Sequence, residues 1–213
     1  MKKGLTEMIF ILDRSGSMGG LEKDTIGGFN NLIQNQKKQV GDAIVTTVLF
    51  DNHYDVIHNH LDLKEVPQLT DKEYYPRGMT ALLDAVCKTI LTTQKRHQSL
   101  PSDSVPENTI VIITTDGHEN ASKQYNYHDA KTLINKQKEI YNWEFIFLGA
   151  NIDSEKEASK LGIRKERATN YKADKRGVDV HYEALSKTVG NYRRNKVLND
   201  DWADTIKKDN NSR

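Results

Sequence analysis

The sequence contains a single cysteine, a net charge of only +1 and no long apolar run. One cysteine cannot form a disulfide within the chain, and it excludes a cysteine-based zinc cluster in a single chain. Cys87 lies on the apolar side of the segment TALLDAVCKTIL, which favours a packing role. The chain has 31 Lys and Arg and 30 Asp and Glu. The charges nearly balance, so no strong electrostatic field attracts nucleic acid or an anionic membrane surface.

The apolar runs are too short for a membrane-spanning helix, which needs ~18 residues. The first segment, MKKGLTEMIFIL, has a basic start, but Glu7 and Asp13 bracket only about five apolar residues, fewer than the ~7 of a signal peptide. We therefore interpret this segment as a strand and expect a cytoplasmic protein without membrane contact. A chain of 213 residues fits one domain of ordinary to large size.

Strand-like and helix-like patterns alternate along the sequence. The apolar run from Met8 to Leu12 is typical of a strand buried on both faces, and residues 25–40 carry apolar side chains at helical spacing. Residues 43–50 are rich in β-branched side chains and lead through a turn into DVIHNHLDL. This pattern predicts a hairpin whose second strand lies at the edge of the sheet.

The second half of the sequence continues the alternation. Further strands are predicted at 109–116, at 143–150 and, weakly, at 167–173; further helices are predicted from about Thr80, over 128–141, over 154–162 and over 179–195. The pattern predicts an α/β fold with a doubly wound, mostly parallel central sheet, one antiparallel edge strand and helices on both faces. We expect one domain over 1–195 and an extension over 196–213 that forms a short helix or a loose tail.

Oxygen-bearing side chains follow three of the predicted elements. Asp13, Ser15 and Ser17 follow the first strand, Thr80 starts a helix, and Asp116 follows the most apolar strand. In a doubly wound sheet, ligands bind beyond the carboxyl ends of the strands at the point where the strand order reverses. If the first strand and the strand ending at Asp116 are neighbours, these oxygens share one crevice and suit Mg²⁺. Taken singly, each residue is equally well explained as a helix cap or a turn former.

The motifs DRSGS, PRGMTALLDAV and TTDG, in that order, resemble the metal-ion-dependent adhesion site (MIDAS) of von Willebrand factor type A (VWA) domains. The similarity in element order runs from about Thr6 to Asn195, like that of a stand-alone bacterial or phage-type member without an adhesive stalk. The resemblance implies a Rossmann-like VWA fold and a cofactor, Mg²⁺ or Mn²⁺. It implies that the metal is bound by Asp13, Ser15, Ser17, Thr80 and Asp116, and that a partner protein supplies a Glu or Asp carboxylate as the last ligand.

Four further residues are predicted to surround this site. Asp84, one helical turn after Thr80, resembles an acidic residue often found in such proteins and is expected to hold the threonine loop. Met79 stands where a glycine commonly precedes the threonine and is expected to shape the rim. Asn151 and Asp153, in the segment GANID, are expected at the rim of the site or in a turn.

Two enzyme classes are alternatives. A magnesium-dependent phosphatase or phosphotransferase also uses acidic residues after parallel strands, but a phosphoaspartate mechanism needs a second acid two residues after Asp13, where the sequence has Ser15. Ser17, His118 and Asp116 suggest a catalytic triad, yet neither serine lies in a G-x-S-x-G motif. The sequence therefore favours a protein-binding domain that is not an enzyme.

A zinc site at the cluster of His53, His58 and His60 is a further alternative, because His58 and His60 would lie on one face of a strand and could supply two ligands. Suitable third and fourth ligands are missing at zinc-binding spacing, so we interpret these histidines as solvated side chains of an edge strand, where polar groups discourage edge-to-edge pairing. The sequence does not reveal the partner protein or the oligomeric state.

Overall fold

The predicted alternation of strands and helices is present in the structure, a computed structural model that describes residues 1–212. Arg213, the last residue of the predicted extension, lies outside the described residues. The strands are β1 (Lys2–Asp13), β2 (Ala43–Phe50), β3 (Tyr54–Asp62), β4 (Pro106–Thr115), β5 (Glu144–Gly149) and β6 (Ala168–Asn170). The helices are α1 (Glu22–Lys37), α2 (Leu82–Ser99), α3 (Tyr127–Tyr141), α4 (Ser154–Lys160), α5 (Lys175–Asn195) and α6 (Asp204–Asn211).

The six strands form one sheet in the order β3-β2-β1-β4-β5-β6. β3 pairs antiparallel with β2 at one edge, and the other pairings are parallel. The predicted fold class is therefore confirmed. The chain runs outward from β1 through β2 to β3 and then returns to β4 on the other side of β1, so the strand order reverses between β1 and β4. The predicted adjacency of the first strand and the strand preceding Asp116 is also confirmed.

Helices cover both faces of the sheet because the central strands are apolar on both sides. In β1, Met8 and Phe10 pack in the core beneath α1, α5 and α6, whereas Ile9 and Ile11 pack in the core beneath α2, α3 and α4. Cys87 is buried in the second of these cores, in the packing role expected of it, and burial raises the pKa of its thiol to about 12.

Some elements begin earlier than the apolar pattern predicts. β1 starts at Lys2 rather than Met8 because its first residues also pair with β4: the Lys2 N–H donates to the Val105 carbonyl at 2.7 Å. α5 starts at Lys175, because the Asp174 side chain caps the helix by accepting the Gly177 N–H at 2.8 Å. These extensions depend on polar groups, which a search for apolar periodicity does not detect.

The residues after α5 pack against the body of the protein. Leu198, Trp202 and Ile206 are buried in the core formed with α1 and α5, and the Trp202 indole donates to the Glu166 carbonyl at 2.8 Å. The division of the chain after residue 195 stays a prediction. Among residues 1–212, no helix is both long and apolar enough to cross a bilayer.

The prediction of solvated histidines is wrong for His58. Its imidazole is buried and stacks on Phe29 with the ring centroids 6.1 Å apart. Its Nδ1 lies 3.0 Å from the Thr47 hydroxyl, and burial lowers its pKa. The reason is that β3 packs against α1 and that the pairing of β3 with β2 is irregular on both sides of His58, so simple alternation does not give the direction of its side chain. Within residues 1–212, no three His, Cys, Asp or Glu side chains lie close enough to hold a metal ion.

A buried charge cluster joins β1 to the end of α2. The Glu7 carboxylate is fully buried and pairs with the Arg96 guanidinium and with His97 Nε2, which lies 2.6 Å away. His60 Nδ1 lies 3.7 Å from the same carboxylate. Burial alone would raise the pKa of Glu7, but the two imidazoles and the Arg96 charge outweigh it and lower the pKa to about 2.

We predict that Glu7 makes the fold sensitive to acid. In the unfolded chain this carboxyl has its ordinary pKa of 4.5, whereas in the folded chain the pKa is about 2. Its contribution to stability is therefore complete above pH 4.5 and is lost as the pH falls toward 2, by roughly 3 kcal/mol in total. Denaturant unfolding of wild type and Glu7→Gln between pH 2 and 6 measures this difference.

Glu139→Gln, the same chemical change at an exposed position of α3, is the matched control. An equal pH dependence of the unfolding free energy in wild type and Glu7→Gln would contradict the assignment.

Candidate metal centre

Asp13 joins the ends of the two central strands. It is the last residue of β1, and its Oδ1 accepts the Ser15 N–H at 2.7 Å. Its Oδ2 accepts the hydroxyl of Thr115, the last residue of β4, at 2.6 Å. The Tyr74 hydroxyl donates to the Asp13 carbonyl at 2.7 Å. This buried carboxylate therefore lies where the strand order reverses.

The two serines of the first loop lie beside the acidic residue that follows β4. A short 3-10 turn over Gly16–Met18 brings the Ser15 and Ser17 hydroxyls to 3.1 Å from each other. The Ser17 hydroxyl donates to Asp116 Oδ1 at 2.5 Å. Ser15 is buried, whereas Ser17 is exposed, so the group is open to solvent on the side of Ser17.

Thr80 faces the same volume from the third loop. A methyl group at Gly117 would lie 3.1 Å from the Thr80 hydroxyl and 3.4 Å from the Ser17 hydroxyl. The two hydroxyls therefore flank one glycine, and a larger residue there would crowd the space between them. The structure thus brings together the five side chains predicted from the sequence, namely Asp13, Ser15, Ser17, Thr80 and Asp116.

The two carboxylates of this cluster lack a compensating positive charge. Among residues 1–212, no Lys, Arg or His side chain forms an ion pair with Asp13 or Asp116, and Asp116 Oδ2 is buried without a hydrogen-bond partner. Burial raises the pKa of Asp13 to about 6, against the hydrogen bonds from Thr115 and Ser15. Burial also raises the pKa of Asp116. A bound cation would supply the missing charge.

No protein-family model and no curated protein matches this sequence. Solved structures do match the fold. Proximal thread matrix protein 1 from the mussel byssus aligns with a TM-score of 0.59 and 15% identity, over 88% of this chain and 46% of that one. A von Willebrand factor type A protein from Catenulispora acidiphila aligns with a TM-score of 0.57 and 16% identity, over 86% of this chain and 42% of that one. This chain has the VWA fold.

The TRAP protein of Plasmodium vivax, determined with manganese, has a TM-score of 0.56 and 17% identity over 84% of this chain and 72% of its own. The mussel protein has also been determined with zinc in its MIDAS motif. This chain spans less than half the length of the mussel and Catenulispora proteins, and identities this low establish the fold alone.

In this VWA fold, Asp84 holds a different loop from the one predicted. The sequence suggested that it restrains the threonine loop, but its Oδ1 accepts the backbone N–H groups of Gln124 and Tyr125, each at 3.0 Å, and its Oδ2 accepts that of Lys123 at 3.1 Å. Asp84 therefore fixes the segment between β4 and α3, which also carries Asp116. The helical position of Asp84 beside this segment is a tertiary feature that a local motif does not encode.

Two residues that were not predicted from the sequence connect the same segment to Thr80 and to the start of α2. The Asn120 side chain accepts the Thr80 N–H at 2.9 Å, while the Thr80 carbonyl accepts the Asn120 N–H at 3.0 Å. The Glu119 carboxylate accepts the Leu83 N–H at 2.9 Å, in the first turn of α2. Their position directly after the TTDG motif, in a run of hydrogen-bonding side chains, was the available signal.

An ion-pair network behind the first loop was also missed. Arg14 is buried; its Nε donates to Asp51 at 3.0 Å and its guanidinium also pairs with Asp55. Arg77 Nε donates to the same Asp51 oxygen at 2.7 Å. This network fixes the DRSGS loop against the β2–β3 turn. Its members are far apart in sequence, so only the fold brings them together.

The remaining predicted rim residues have separate positions. Met79 is exposed beside Thr80. Asn151 adopts a positive φ of 56° in a turn, and Asp153 caps α4 by accepting the Lys156 N–H at 3.0 Å. The turn and capping interpretations therefore describe what Asn151 and Asp153 do in the structure, and their contribution to the rim stays a prediction.

The catalytic-triad alternative finds no support in these contacts. The Ser17 hydroxyl donates directly to Asp116, whereas a triad requires an imidazole between serine and aspartate. The exposed His118 imidazole instead lies 3.7 Å from Glu157.

We predict that Asp84 stabilises the segment that carries Asp116. Asp84→Ala removes a charged acceptor for three backbone N–H groups and should lower the free energy of unfolding by about 3 kcal/mol. Asp84→Asn keeps one acceptor oxygen and should cost less. Denaturant unfolding measures both values, and amide hydrogen exchange at residues 123–125 should accelerate in Asp84→Ala. Unchanged exchange at these amides would show that the contact carries no stability.

Proposed function

We propose that the chain binds one divalent cation, Mg²⁺ or Mn²⁺, through Asp13, Ser15, Ser17, Thr80 and Asp116. The observation that carries this proposal is the pair of buried carboxylates without a cationic partner, surrounded by three hydroxyls. Five oxygen donors suit a hard cation that prefers oxygen ligands. The metal-loaded VWA structures of the mussel and Plasmodium proteins support the assignment by analogy.

We further propose that the bound cation is the docking point for a partner protein, which contributes a Glu or Asp carboxylate. Three of the five donors are neutral hydroxyls, so the cation would keep an affinity for one more anionic oxygen. The cluster is exposed at Ser17 and Gly16, which leaves an approach for a partner side chain. When bound, the cation would supply electrostatic attraction for that carboxylate, while Asp13 and the hydroxyls hold the cation in place.

Under this proposed function the chain is a binding protein and not an enzyme. The balance of acidic and basic residues gives no support to nucleic-acid or membrane binding. A cytoplasmic location is proposed on the same basis as in the sequence analysis, and the buried, unpaired thiol of Cys87 is compatible with it.

We predict that Asp13→Ala lowers the affinity for Mn²⁺ and Mg²⁺ by about 100-fold or more, because it removes one of the two carboxylates, and that Thr80→Ala lowers it by about tenfold or more. Isothermal titration calorimetry on the full chain measures both. Thr80→Ser keeps the hydroxyl and should retain binding. Asp179→Ala, which removes an exposed carboxylate on α5, is the control for charge. Equal affinity in wild type and Asp13→Ala would overturn the metal assignment.

Partner binding should depend on the same groups. In affinity capture from the native organism's lysate, we expect a partner retained in Mg²⁺ and released by chelator, with Asp13→Ala and Thr80→Ala behaving like chelated wild type. Mn²⁺ should restore binding at least as well as Mg²⁺, given its higher place in the affinity order. A partner that stays bound in chelator and to Asp13→Ala would contradict the proposed mode of docking.

We also predict no hydrolysis of phosphate esters, because Ser15 stands where a phosphoaspartate mechanism needs a second acid, and no hydrogen bond among residues 1–212 pairs Ser15 or Ser17 with a histidine base. Wild type with Mg²⁺ should turn over p-nitrophenyl phosphate no faster than Asp13→Asn does. Magnesium-dependent hydrolysis that disappears in Asp13→Asn would support the phosphatase alternative instead.

A further inference from the structure

Two large apolar side chains are exposed on the loop that leads into Thr80. Met79 is 55% exposed and immediately precedes Thr80, and Tyr75 is 42% exposed on the same loop. Single exposed apolar residues are common and need no explanation. Here both adjoin candidate metal ligands: Met79 directly precedes Thr80, and the Tyr75 ring lies against the guanidinium of Arg14, the residue after Asp13. We refer to Met79 and Tyr75 as the apolar patch.

The loop that carries the apolar patch is held in one conformation. The Gly16 N–H donates to the Gly78 carbonyl at 3.2 Å, and the Arg77 N–H donates to the Arg14 carbonyl at 2.9 Å. Gly78 has a φ of +66°, a left-handed backbone conformation that favours glycine and that a residue with a side chain rarely adopts. A surface fixed in this way loses little conformational entropy when a partner binds.

Tyr75 is fixed as well as exposed. Its ring lies beside two guanidinium groups, with the Arg77 carbon 5.0 Å and the Arg14 carbon 5.6 Å from the ring centroid. Its hydroxyl accepts Arg77 Nη1 at 2.8 Å. The hydroxyl therefore has one partner within the protein, and the aromatic ring is the apolar part that the exposed side chain offers.

The charges near the apolar patch are already paired. The guanidinium groups of Arg14 and Arg77 both contact Asp51 and Asp55. Two positive and two negative groups leave no net charge to attract a second acidic residue. An apolar side chain of the partner is the better match for this side of the metal centre.

The other sides of the metal centre differ from the apolar patch. The first loop presents Gly16, Gly19 and Gly20, which are exposed and have no side chains, and the segment after β4 presents exposed His118 and Asn120. We therefore expect the protein to prefer an apolar residue of the partner on only one side of the docked carboxylate.

We propose that the apolar patch is a specificity surface, and that the partner carries a bulky apolar residue on one side of the Glu or Asp that reaches the metal. This inference rests on the proposed function. It also meets a physical need, because one carboxylate bound to a cation cannot distinguish one acidic protein from another.

The test is selection from a displayed peptide library on the immobilised full chain, with a fixed central Glu or Asp and randomised flanking positions. Peptides retained in Mg²⁺ and released by chelator should carry Leu, Ile, Met or Phe at one flanking position. Met79→Ser should bind these peptides roughly fivefold more weakly, whereas Met79→Leu should retain them. Ile140→Ser, an exposed apolar residue on α3, is the matched control and should have no effect.

Mn²⁺ affinity, measured by calorimetry, should be the same for Met79→Ser and wild type, which separates recognition from metal binding. Chelator-sensitive peptides with no apolar preference, with acidic flanks, or with equal affinity for Met79→Ser would overturn the specificity surface while leaving the metal-dependent docking intact. A complete lack of chelator-sensitive peptides would count against the proposed function, and the specificity surface would fall with it.

Discussion

Parallel pairing of β1 with β4 is the constraint on which the candidate site depends. The register that places Leu12 opposite Thr114 puts Asp13 beside Thr115 and sends both following loops over the same edge of the sheet. The hydrogen bond from the Thr115 hydroxyl to Asp13 then fixes the buried carboxylate. The third loop, which carries Thr80, lies at the same edge because α2 follows it. α2 starts at this edge, covers β1 and β4, and leads the chain back to the start of β4.

Such a site costs stability, and the surrounding contacts offset that cost. Two buried carboxylates without a counter-charge are destabilising, as their raised pKa values indicate. The loops around them are nevertheless fixed, by Asp84 and Asn120 on one side and by the Arg14–Asp51 ion pair on the other. Polar contacts outside the cluster thus hold the loops in place. The two carboxylates of the cluster keep a negative charge that no side chain neutralises. This division is what pre-organisation of a cation site requires.

The fold class and the order of the elements could be predicted from the sequence because the apolar pattern shows where strands and helices lie. The proximity of five side chains could be predicted because ligands bind beyond the carboxyl ends of such strands; these side chains are Asp13, Ser15, Ser17, Thr80 and Asp116. The sequence was not sufficient for groups whose roles depend on distant partners. His58 is a core residue because β3 packs over α1, and Glu7 is tolerated inside β1 because Arg96 and His97 reach it from α2. Contacts over such separations have no local signature in one sequence.

The arrangement of charge around the cluster bears on the choice between binding and catalysis. A serine hydrolase uses a histidine to take the proton from its nucleophile, whereas the Ser17 hydroxyl donates directly to Asp116 and no hydrogen bond or ion pair among residues 1–212 joins either side chain to a histidine. The two arginines on the site loops, Arg14 and Arg77, are paired with Asp51 and Asp55 and so are not free to stabilise a transferring phosphoryl group. What remains is a cluster of hydroxyls and two carboxylates that is exposed at Ser17, with the exposed Met79 next to Thr80 on one side. Those features support the proposed capture of a cation and of a partner carboxylate over the phosphatase alternative.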